Sequence, residues 1–409
     1  MNCYIILGTF FDMGGGQLYT KNKVNYLKEH GWKVFVYTGR NGQLYIDDLK
    51  EYKNNFIEEL NYLPFYFNSN TVDKVLNRII NDCKGNYEYV VVETHKQPMA
   101  IWGELIAKRI NGKHILLDLD EDFKIFEDWY YPFIDFKHKR RELAGINELS
   151  LQKMFKDYKT ITDKENYHLF FPATNSIEET DNGLIRNCKE ADINLGTISR
   201  LDKDYLMPMM HEIVSFCRKH RDKKVNLFVV GGAKDNRYAE EIVEIGAEAN
   251  NLSLHMLGYL SPIPKRLIEI VDVFIGTAAS AVMTAEVGKV TIAVDTINCK
   301  PIGIMGINAS STTFSCDEAE WDKLCDYLDY IFFEESVKML ESKICNDRFM
   351  GIDKNEMIDE HMNFLRCSEP SYEYYSFEKM GIKYKFEYLI IRTIGINAAK
   401  RFKRLMGKK

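Results

Sequence analysis

Short apolar segments alternate with amphipathic stretches along the first half of the chain. Each apolar segment has the length and β-rich composition of a strand, and after the first of them Leu18, Val24 and Leu27 recur at helical spacing. The strand-like segments are residues 3–8, 33–38, 87–93, 114–119 and 160–162. Because parallel strands require long crossover connections, and the intervening stretches are long enough to be helices, the pattern predicts a parallel sheet with helical crossovers.

A second series of the same kind follows. Its strand-like segments are residues 193–199, 226–230, 253–257, 271–275 and 291–294. Helical patterns separate them, as at 235–249, and the polar stretch 172–182 before the series predicts a linker. We therefore predict an α/β protein with a first domain at 1–175 and a second at 190–350. Such sheets bind ligands beyond the carboxyl ends of their strands, so two facing domains would enclose a cleft.

Length and composition agree with a two-domain soluble protein. The 409 residues exceed the roughly 250 to 300 that one hydrophobic core usually serves. The net charge of −6 argues against a nucleic-acid partner. The nine cysteines are scattered without metal-ligand spacing, which indicates reduced thiols in the cytoplasm. There is no cationic signal-peptide region at the N-terminus, and no uncharged run approaches the ~20 residues that a membrane span needs.

Three consecutive glycines, Gly14, Gly15 and Gly16, follow the first predicted strand and precede a predicted helix. At that position backbone N–H groups and the helix dipole can face an anion or a sugar hydroxyl. The alternative is a tight turn that requires positive φ. The segment is not G-x-G-x-x-G, which disfavours nicotinamide binding.

The segment from Gly14 to Gly39 combines the glycine loop, a helix ending in a His-Gly pair and a second strand, and it resembles the opening of GT-B glycosyltransferases of the family-4-like type. Later segments agree with that family in order, namely residues 93–95, 196–201, 229–232, 257–258 and 284–295. The resemblance implies two Rossmann-like α/β/α domains facing a central cleft. It also implies a nucleoside-diphosphate sugar as donor substrate, no cofactor, no obligatory metal, and bacterial surface polysaccharide as the setting.

The predicted donor site lies in the second domain. A diphosphate gains charge as its bond to the sugar breaks, so it needs cations and N–H dipoles aimed at it, and small residues at a helix start allow close approach. The residues predicted to bind the diphosphate are Arg200, Lys203, Ala279, Ser280 and Ala281. The resemblance implies that Glu286 contacts the ribose. The alternatives are a surface ion pair for Arg200 and a solvated helix face for Glu286.

Three positions depart from the family pattern. Ala278 stands where the first of two acidic residues is expected, eight positions before Glu286. Tyr205 stands where a lysine is expected after Arg200, and Gly288 is not followed by the usual x-Pro. These departures bear on the choice of sugar and on retaining chemistry more than on nucleotide binding.

Catalytic candidates lie in the first domain. His95 at a strand end is predicted to touch the sugar or act as general base, because imidazole titrates near neutrality, and the alternative is a structural histidine. Asp118 and Asp120 are predicted on the acceptor side, where either could deprotonate an acceptor hydroxyl if the enzyme inverts. The glycines at 14–16 are assigned to the same sugar and acceptor side.

The acidic run at 118–122, DLDED, permits a rival interpretation. Asp-x-Asp after an apolar strand is how metal-dependent GT-A glycosyltransferases hold Mn²⁺ or Mg²⁺ on a diphosphate. That interpretation leaves the second α/β series without a role. A solvated loop is the structural alternative.

Two segments in the C-terminal part of the chain also carry predictions. Residues 301–311 predict either a mobile loop over the donor or a plain connection. The tail 370–409 is predicted to be helical and basic, since positions 380–409 hold nine basic residues and one acidic residue. It either contacts an anionic membrane at the inner face of the plasma membrane or crosses back to the first domain.

The resulting functional prediction is a hexosyltransferase-type GT-B enzyme that transfers a sugar from a nucleoside-diphosphate donor to a glycan or lipid-linked acceptor. One alternative is a nucleotide-sugar epimerase on the same architecture. The other is a non-catalytic binding or accessory subunit, which Ala278 favours.

Overall fold

The computed structural model describes residues 1–119, 126–156, 167–180, 183, 190–309, 319–346, 353–377, 389, 393, 394 and 398. The chain divides into two compact units. The first comprises residues 1–173 together with 353–409, and the second comprises 174–352.

Each unit is built on a twisted sheet. The strands are β1 (Cys3–Leu7), β2 (Lys33–Tyr37), β3 (Val90–Thr94), β4 (Lys113–Asp118), β5 (Leu143–Gly145), β6 (Ile177–Glu178), β7 (Ile193–Ile198), β8 (Val225–Val230), β9 (Leu252–Gly258), β10 (Ile263–Pro264), β11 (Val273–Gly276), β12 (Val290–Val294) and β13 (Pro301–Ile304). In the first unit the order is β2-β1-β3-β4-β5, all parallel. In the second it is β13-β12-β11-β7-β8-β9, parallel except for β13, and β6 pairs separately with β10.

Most of the helices lie between strands as crossovers, and the last three follow β13. They are α1 (Gly15–Glu29), α2 (Ser69–Asp82), α3 (Gln97–Ile110), α4 (Tyr131–Lys139), α5 (Glu148–Gln152), α6 (Leu206–Lys219), α7 (Arg237–Gly246), α8 (Lys265–Ile270), α9 (Ala278–Glu286), α10 (Leu324–Asp329), α11 (Val337–Asn346) and α12 (Lys354–Cys367). Short 3₁₀ helices span Asp47–Tyr52, Glu58–Asn61 and Pro64–Tyr66, and a π-helical turn spans Tyr330–Glu334.

The strand sequences are mostly continuous apolar runs, because side chains on both faces of the sheets pack into hydrophobic cores. In β1, Tyr4 and Ile6 pack into one core, while Ile5 and Leu7 pack into another on the opposite face. The second unit repeats this arrangement with alternate residues of β8. Alternation of side chains along a strand thus serves two cores at once, as parallel sheets require.

The observed elements correct several sequence predictions. The interpretation of 301–311 as a loop is wrong for Pro301–Ile304, which form the antiparallel edge strand β13. Proline is tolerated there because an edge strand has one unpaired side. Within the predicted linker, Ile177–Glu178 pair with β10 of the second unit. The strand predicted at 160–162, Asp120 and nearly all of the tail after residue 377 lie outside the described residues.

The segment from 353 to 377 packs on the first unit. Asp353 caps α12 by accepting hydrogen bonds from the amides of Asn355 and Glu356. Ile358, Met362 and Leu365 of this helix join the core that contains Tyr4. In the part of the chain that the structure describes, none of the helices combines the length and apolar character needed to cross a bilayer.

Candidate functional site

In the second unit, three parallel strands end side by side. β7 lies between β11 and β8, so the loops after Ile198, Val230 and Gly276 are neighbours at the carboxyl edge of the sheet. Arg200 and Lys203 lie in the first of these loops and α9 begins in the third. The structure therefore brings the predicted diphosphate-binding residues to one edge.

The Arg200 loop is fixed against a glycine. Gly231 has φ of 140°, and a Cβ there would lie 1.7 Å from the carbonyl oxygen of Ser199. The amide of Leu201 donates to the carbonyl of Gly232 at 3.0 Å. No residue except glycine fits at 231 without moving the Arg200 backbone, which explains why a glycine pair follows β8.

The two cations of this loop face solvent. The Arg200 side chain is 48 % exposed, and its Nε lies 3.2 Å from Oδ1 of Asp202. Lys203 is also exposed. An exposed ion pair of this kind contributes at most about 1 kcal/mol, so an incoming dianion can replace Asp202 as the partner of Arg200.

The start of α9 is built from small residues and contains an unsatisfied hydroxyl. Thr277 is the N-cap, 8 % exposed, and its Oγ1 is buried without a hydrogen-bond partner among the described residues. Ser280 Oγ donates to the Thr277 carbonyl at 2.8 Å. Ala279 and Ser280 are partly exposed and Ala281 is buried. First-turn amides and a free hydroxyl together suit an oxyanion ligand.

Ala278, the first residue of α9, has φ of 52°. The left-handed conformation costs an L-residue about 1 to 2 kcal/mol. Strain of this kind concentrates where a backbone is held for a ligand. The position at which the family pattern expects an acid is thus strained as well as neutral.

Two other hydroxyls at this edge are buried. They belong to Thr197 on β7 and Tyr205, the residue before α6. Burial raises the pKa of Tyr205, so its phenol stays protonated and able to donate. Tyr205 replaces the lysine of the family pattern by a buried neutral donor.

Glu286 is not brought to this edge. It is the last residue of α9 and is exposed. At 1.5 Å per residue it lies about 12 Å along the helix from Ala278. Its ribose role therefore requires a ligand that extends along α9, and it stays a prediction.

In the first unit, the glycines lie where the sequence places them but the turn explanation is wrong. Gly14 is the N-cap of α1 with extended backbone, φ 175°, and Gly15 and Gly16 are the first two helical residues. None of the three has φ in the left-handed region. A Cβ would fit at Gly15 and Gly16 with contacts of 3.5 Å or more. With glycine at these positions, no Cβ lies beside the backbone amides of the first turn of α1.

His95 follows β3 at the carboxyl edge of the first sheet and is 5 % exposed. Its Nε2 lies 2.8 Å from Oε1 of Glu93, a carboxylate with no exposed surface. Burial opposes ionisation of Glu93, but the charge of Lys23 and the hydrogen bond from His95 hold the pKa of this carboxyl well below its usual range. The sequence pattern included Glu93 in the segment 93–95 but predicted no role for it, although an acid inside the apolar run VVVET was a usable signal.

Asp118 is the last residue of β4 and is 2 % exposed, so the solvated-loop alternative is wrong for it. Its main-chain carbonyl accepts from the amide of Ile146 at 3.1 Å. Burial, followed by the charge of Asp118, raises the pKa of Tyr130. Residues 120–122 lie outside the described part, and within that part no three His, Cys, Asp or Glu side chains group as metal ligands.

No protein-family model matches the chain, and no curated protein does either. Solved structures do match. A glycosyltransferase from Rickettsia africae superposes with a TM-score of 0.58 at 15 % identity, covering 90 % of this chain and 99 % of its own. HepE from Anabaena, in complex with UDP and glucose, gives 0.53 at 12 % identity, covering 89 % and 99 %. An E. coli trehalose-6-phosphate protein bound with UDP-2-fluoro glucose gives 0.53 at 12 %, covering 90 % and 99 %.

The two doubly wound sheets and these matches over nearly the whole chain define the class: the protein has the GT-B fold, with two Rossmann-like units. The particular resemblance to family 4 stays a prediction.

Proposed function

We propose that the protein is a glycosyltransferase that moves a sugar from a nucleoside diphosphate to a glycan or lipid-linked hydroxyl in bacterial polysaccharide synthesis. The observation that carries the proposal is the carboxyl edge of the second sheet, where the Arg200 loop, the glycine pair and the start of α9 are neighbours. Two of the fold relatives contain UDP with glucose or a fluoroglucose, which supports a nucleotide-sugar donor.

The chemistry expected of this edge is stabilisation of a leaving diphosphate. Arg200 and Lys203 supply cations, while the first-turn amides of α9 and the Thr277 hydroxyl supply N–H and O–H dipoles. These groups act most strongly on the charge that develops as the sugar departs, which is the condition for catalysis rather than binding alone. Neither a metal nor a cofactor is part of the proposal.

The first unit is assigned the sugar and acceptor side. His95 presents one ring nitrogen at the carboxyl edge of its sheet, and the start of α1 has no side-chain cap hydrogen bond from the described residues. Asp118 and Asp120 stay the alternative bases. We place the enzyme in the cytoplasm, at the inner face of the plasma membrane if its basic tail contacts anionic lipid.

A thermal-shift screen against UDP, GDP, ADP and dTDP tests the donor site. A ligand that binds only the folded protein raises the unfolding midpoint by mass action. At least one of the four should raise it, and Arg200→Ala should abolish that shift. Arg218→Ala is the matched control, because Arg218 is 52 % exposed and paired with Glu248 but lies in the last turn of α6, at the other end of the sheet. No shift with any of the four would remove the donor-site assignment.

A non-catalytic nucleotide-binding protein is the second candidate, and Ala278 favours it, since no carboxylate stands at that position. The assay that separates the two is release of nucleoside diphosphate from the glucose conjugates of the four nucleotides. A transferase should release it above the background rate. Binding without release across a broad acceptor panel would support the second candidate.

A further inference from the structure

Buried histidines in the first unit differ in how their ring nitrogens are satisfied. His114 has both nitrogens bound, Nδ1 to Glu104 at 2.7 Å and Nε2 to Thr94 at 2.8 Å. His361 has Nε2 bound to the carbonyl of Phe170 at 2.7 Å and Nδ1 at 3.4 Å from the Tyr19 hydroxyl. The ring of His114 is fully partnered and that of His361 is held through Nε2 by the main chain, so both rings are structural.

His95 is different. Its Nε2 is bound to Glu93, but its Nδ1 has no hydrogen-bond partner among the residues that the structure describes. Nδ1 is not one of the fully buried polar atoms without a partner in the described part of the chain, so it reaches the surface of the unit. A ligand hydroxyl can therefore approach it.

The carboxylate of Glu93 is held from both sides. Oε1 accepts from the Tyr19 hydroxyl at 2.7 Å as well as from His95, and Oε2 accepts from the Tyr4 hydroxyl at 2.6 Å. Lys23 Nζ, which is fully buried, lies 3.8 Å from Oε2. With these partners the carboxylate is ionised and cannot donate, so Nε2 of His95 must carry the proton. In the neutral ring, Nδ1 is then a lone-pair acceptor.

Nδ1 faces a position where a side chain is missing. A Cβ on Gly8 would lie 3.4 Å from Nδ1 and from Cε1 of His95, and 3.2 Å from Cγ2 of Ile6. Gly8 does not have the positive φ that would otherwise require glycine. The absent side chain keeps the Nδ1 edge of the ring uncovered.

We infer that Glu93 is a positioning residue, which holds His95 in the tautomer whose Nδ1 accepts a hydrogen bond from a substrate hydroxyl, with Gly8 leaving room for that hydroxyl. The inference rests on the proposed function for its substrate, a sugar or acceptor alcohol. Its geometry stands on the contacts of Glu93 and His95 alone. Carboxylate and histidine act here as in other sites where an acid fixes the orientation and tautomer of an imidazole.

The test combines kinetics with nitrogen NMR of the imidazole in the full-length protein. In the wild type, the spectrum should show His95 protonated at Nε2. Glu93→Gln replaces an acceptor by an amide that can donate to Nε2, so the Nδ1-protonated tautomer should appear and kcat for nucleoside-diphosphate release should fall at least about 100-fold. The donor KM should change less than about threefold, since the diphosphate contacts lie in the second unit.

Glu104→Gln is the matched control. Glu104 is another buried carboxylate that binds a histidine and a lysine, Lys137 at 2.9 Å, and it has no contact with His95. It should lower stability while leaving kcat within about threefold and the His95 spectrum unchanged. Because Glu93→Gln leaves Lys23 buried without its counter-charge, Glu93→Gln/Lys23→Met keeps the test valid if the single variant does not fold.

Gly8→Ala probes the uncovered edge separately. It should lower kcat while His95 stays protonated at Nε2, since Glu93 is untouched. The inference is overturned if wild-type His95 is protonated at Nδ1, or if folded Glu93→Gln keeps both its tautomer and its kcat. Absence of any release by the wild type, with the expected tautomer change in Glu93→Gln, would instead contradict the proposed function.

Discussion

Lys23 shows how single residues shape the first unit. Its ammonium group has no exposed surface, no hydrogen-bond acceptor in the described part of the chain, and a single carboxylate at 3.8 Å. Burial lowers its pKa, and its proximity to Glu93 opposes that effect. Removing one partner of such a pair costs about 3 to 5 kcal/mol of folding stability, because the other charge is left buried without its partner.

His361 gives a prediction for stability against pH. Burial, and then the charge of Lys23, lower the pKa of His361 to about 3 from an ordinary 6.5. The unfolded chain therefore takes up this proton first, and stability that is present above pH 6.5 is lost as the pH falls. Between pH 7 and pH 5 the wild type should lose about 2 kcal/mol more than His361→Gln.

Urea unfolding at the two pH values measures this difference. Trp32, Trp102 and Trp129 report on the first unit in a Trp321→Phe background. His211→Gln, at an exposed position in the second unit, is the control and should behave as the wild type does. Equal losses in wild type and His361→Gln would contradict the assignment.

Gly231 gives a second prediction at the residue scale. Gly231→Ala should destabilise the second unit by at least about 2 kcal/mol, because its Cβ would overlap the Ser199 carbonyl. Gly258→Ala separates sterics from φ, since Gly258 has φ of 69° and a Cβ there would meet no described atom within 4 Å beyond its chain neighbours, and it should cost only about 1 to 2 kcal/mol. Scanning calorimetry of both variants makes the comparison. An equal or smaller effect at Gly231 would show that the close approach is absent.

At the scale of elements, the local sequence pattern was sufficient to predict the strands but not the contacts between residues far apart in the sequence. The apolar runs predicted β1, β2 and β8 because both faces of each strand are buried. The glycines before α1 and the cations after β7 were predicted because strand ends are marked by a change of composition. β13 was missed because its proline and two glycine-separated apolar residues resemble a loop.

The Glu93 and Lys23 pair was missed for a different reason. The two residues lie 70 positions apart on β3 and α1, and no local pattern connects them. His361, which lies against the same cluster, comes from α12 at the far end of the sequence. Long-range packing that brings distant charges together is not encoded in periodicity.

The basic tail gives a prediction at this scale. Four cations lie within residues 402–409, and each contributes about 1 kcal/mol near an anionic surface. Deleting 402–409 should reduce co-sedimentation with phosphatidylglycerol vesicles at least about tenfold, with phosphatidylcholine vesicles as the control. Phe402→Ser tests insertion of the apolar side separately. Unchanged sedimentation of the deletion variant would eliminate membrane contact by this segment.

At the scale of the whole molecule, the two units repeat one plan. Each has a sheet of parallel strands, joined in the second unit by the antiparallel edge strand β13, and its carboxyl edge carries a helix start with small residues, α1 in the first unit and α9 in the second. The charged groups differ, since the first unit offers a carboxylate-bound imidazole and the second offers exposed cations. This division matches the two demands of the proposed sugar transfer, which are to orient a hydroxyl and to release a diphosphate.

Hydrogen–deuterium exchange with and without nucleoside diphosphate tests the central claim most directly. With the diphosphate that gives the largest thermal shift, amides at 199–203, 231–232 and 277–281 should gain protection, because these loops form the proposed diphosphate site. Protection confined to the opposite end of the sheet, around the end of α6 and the start of β8, or no protection with any of the four nucleotides, would contradict it.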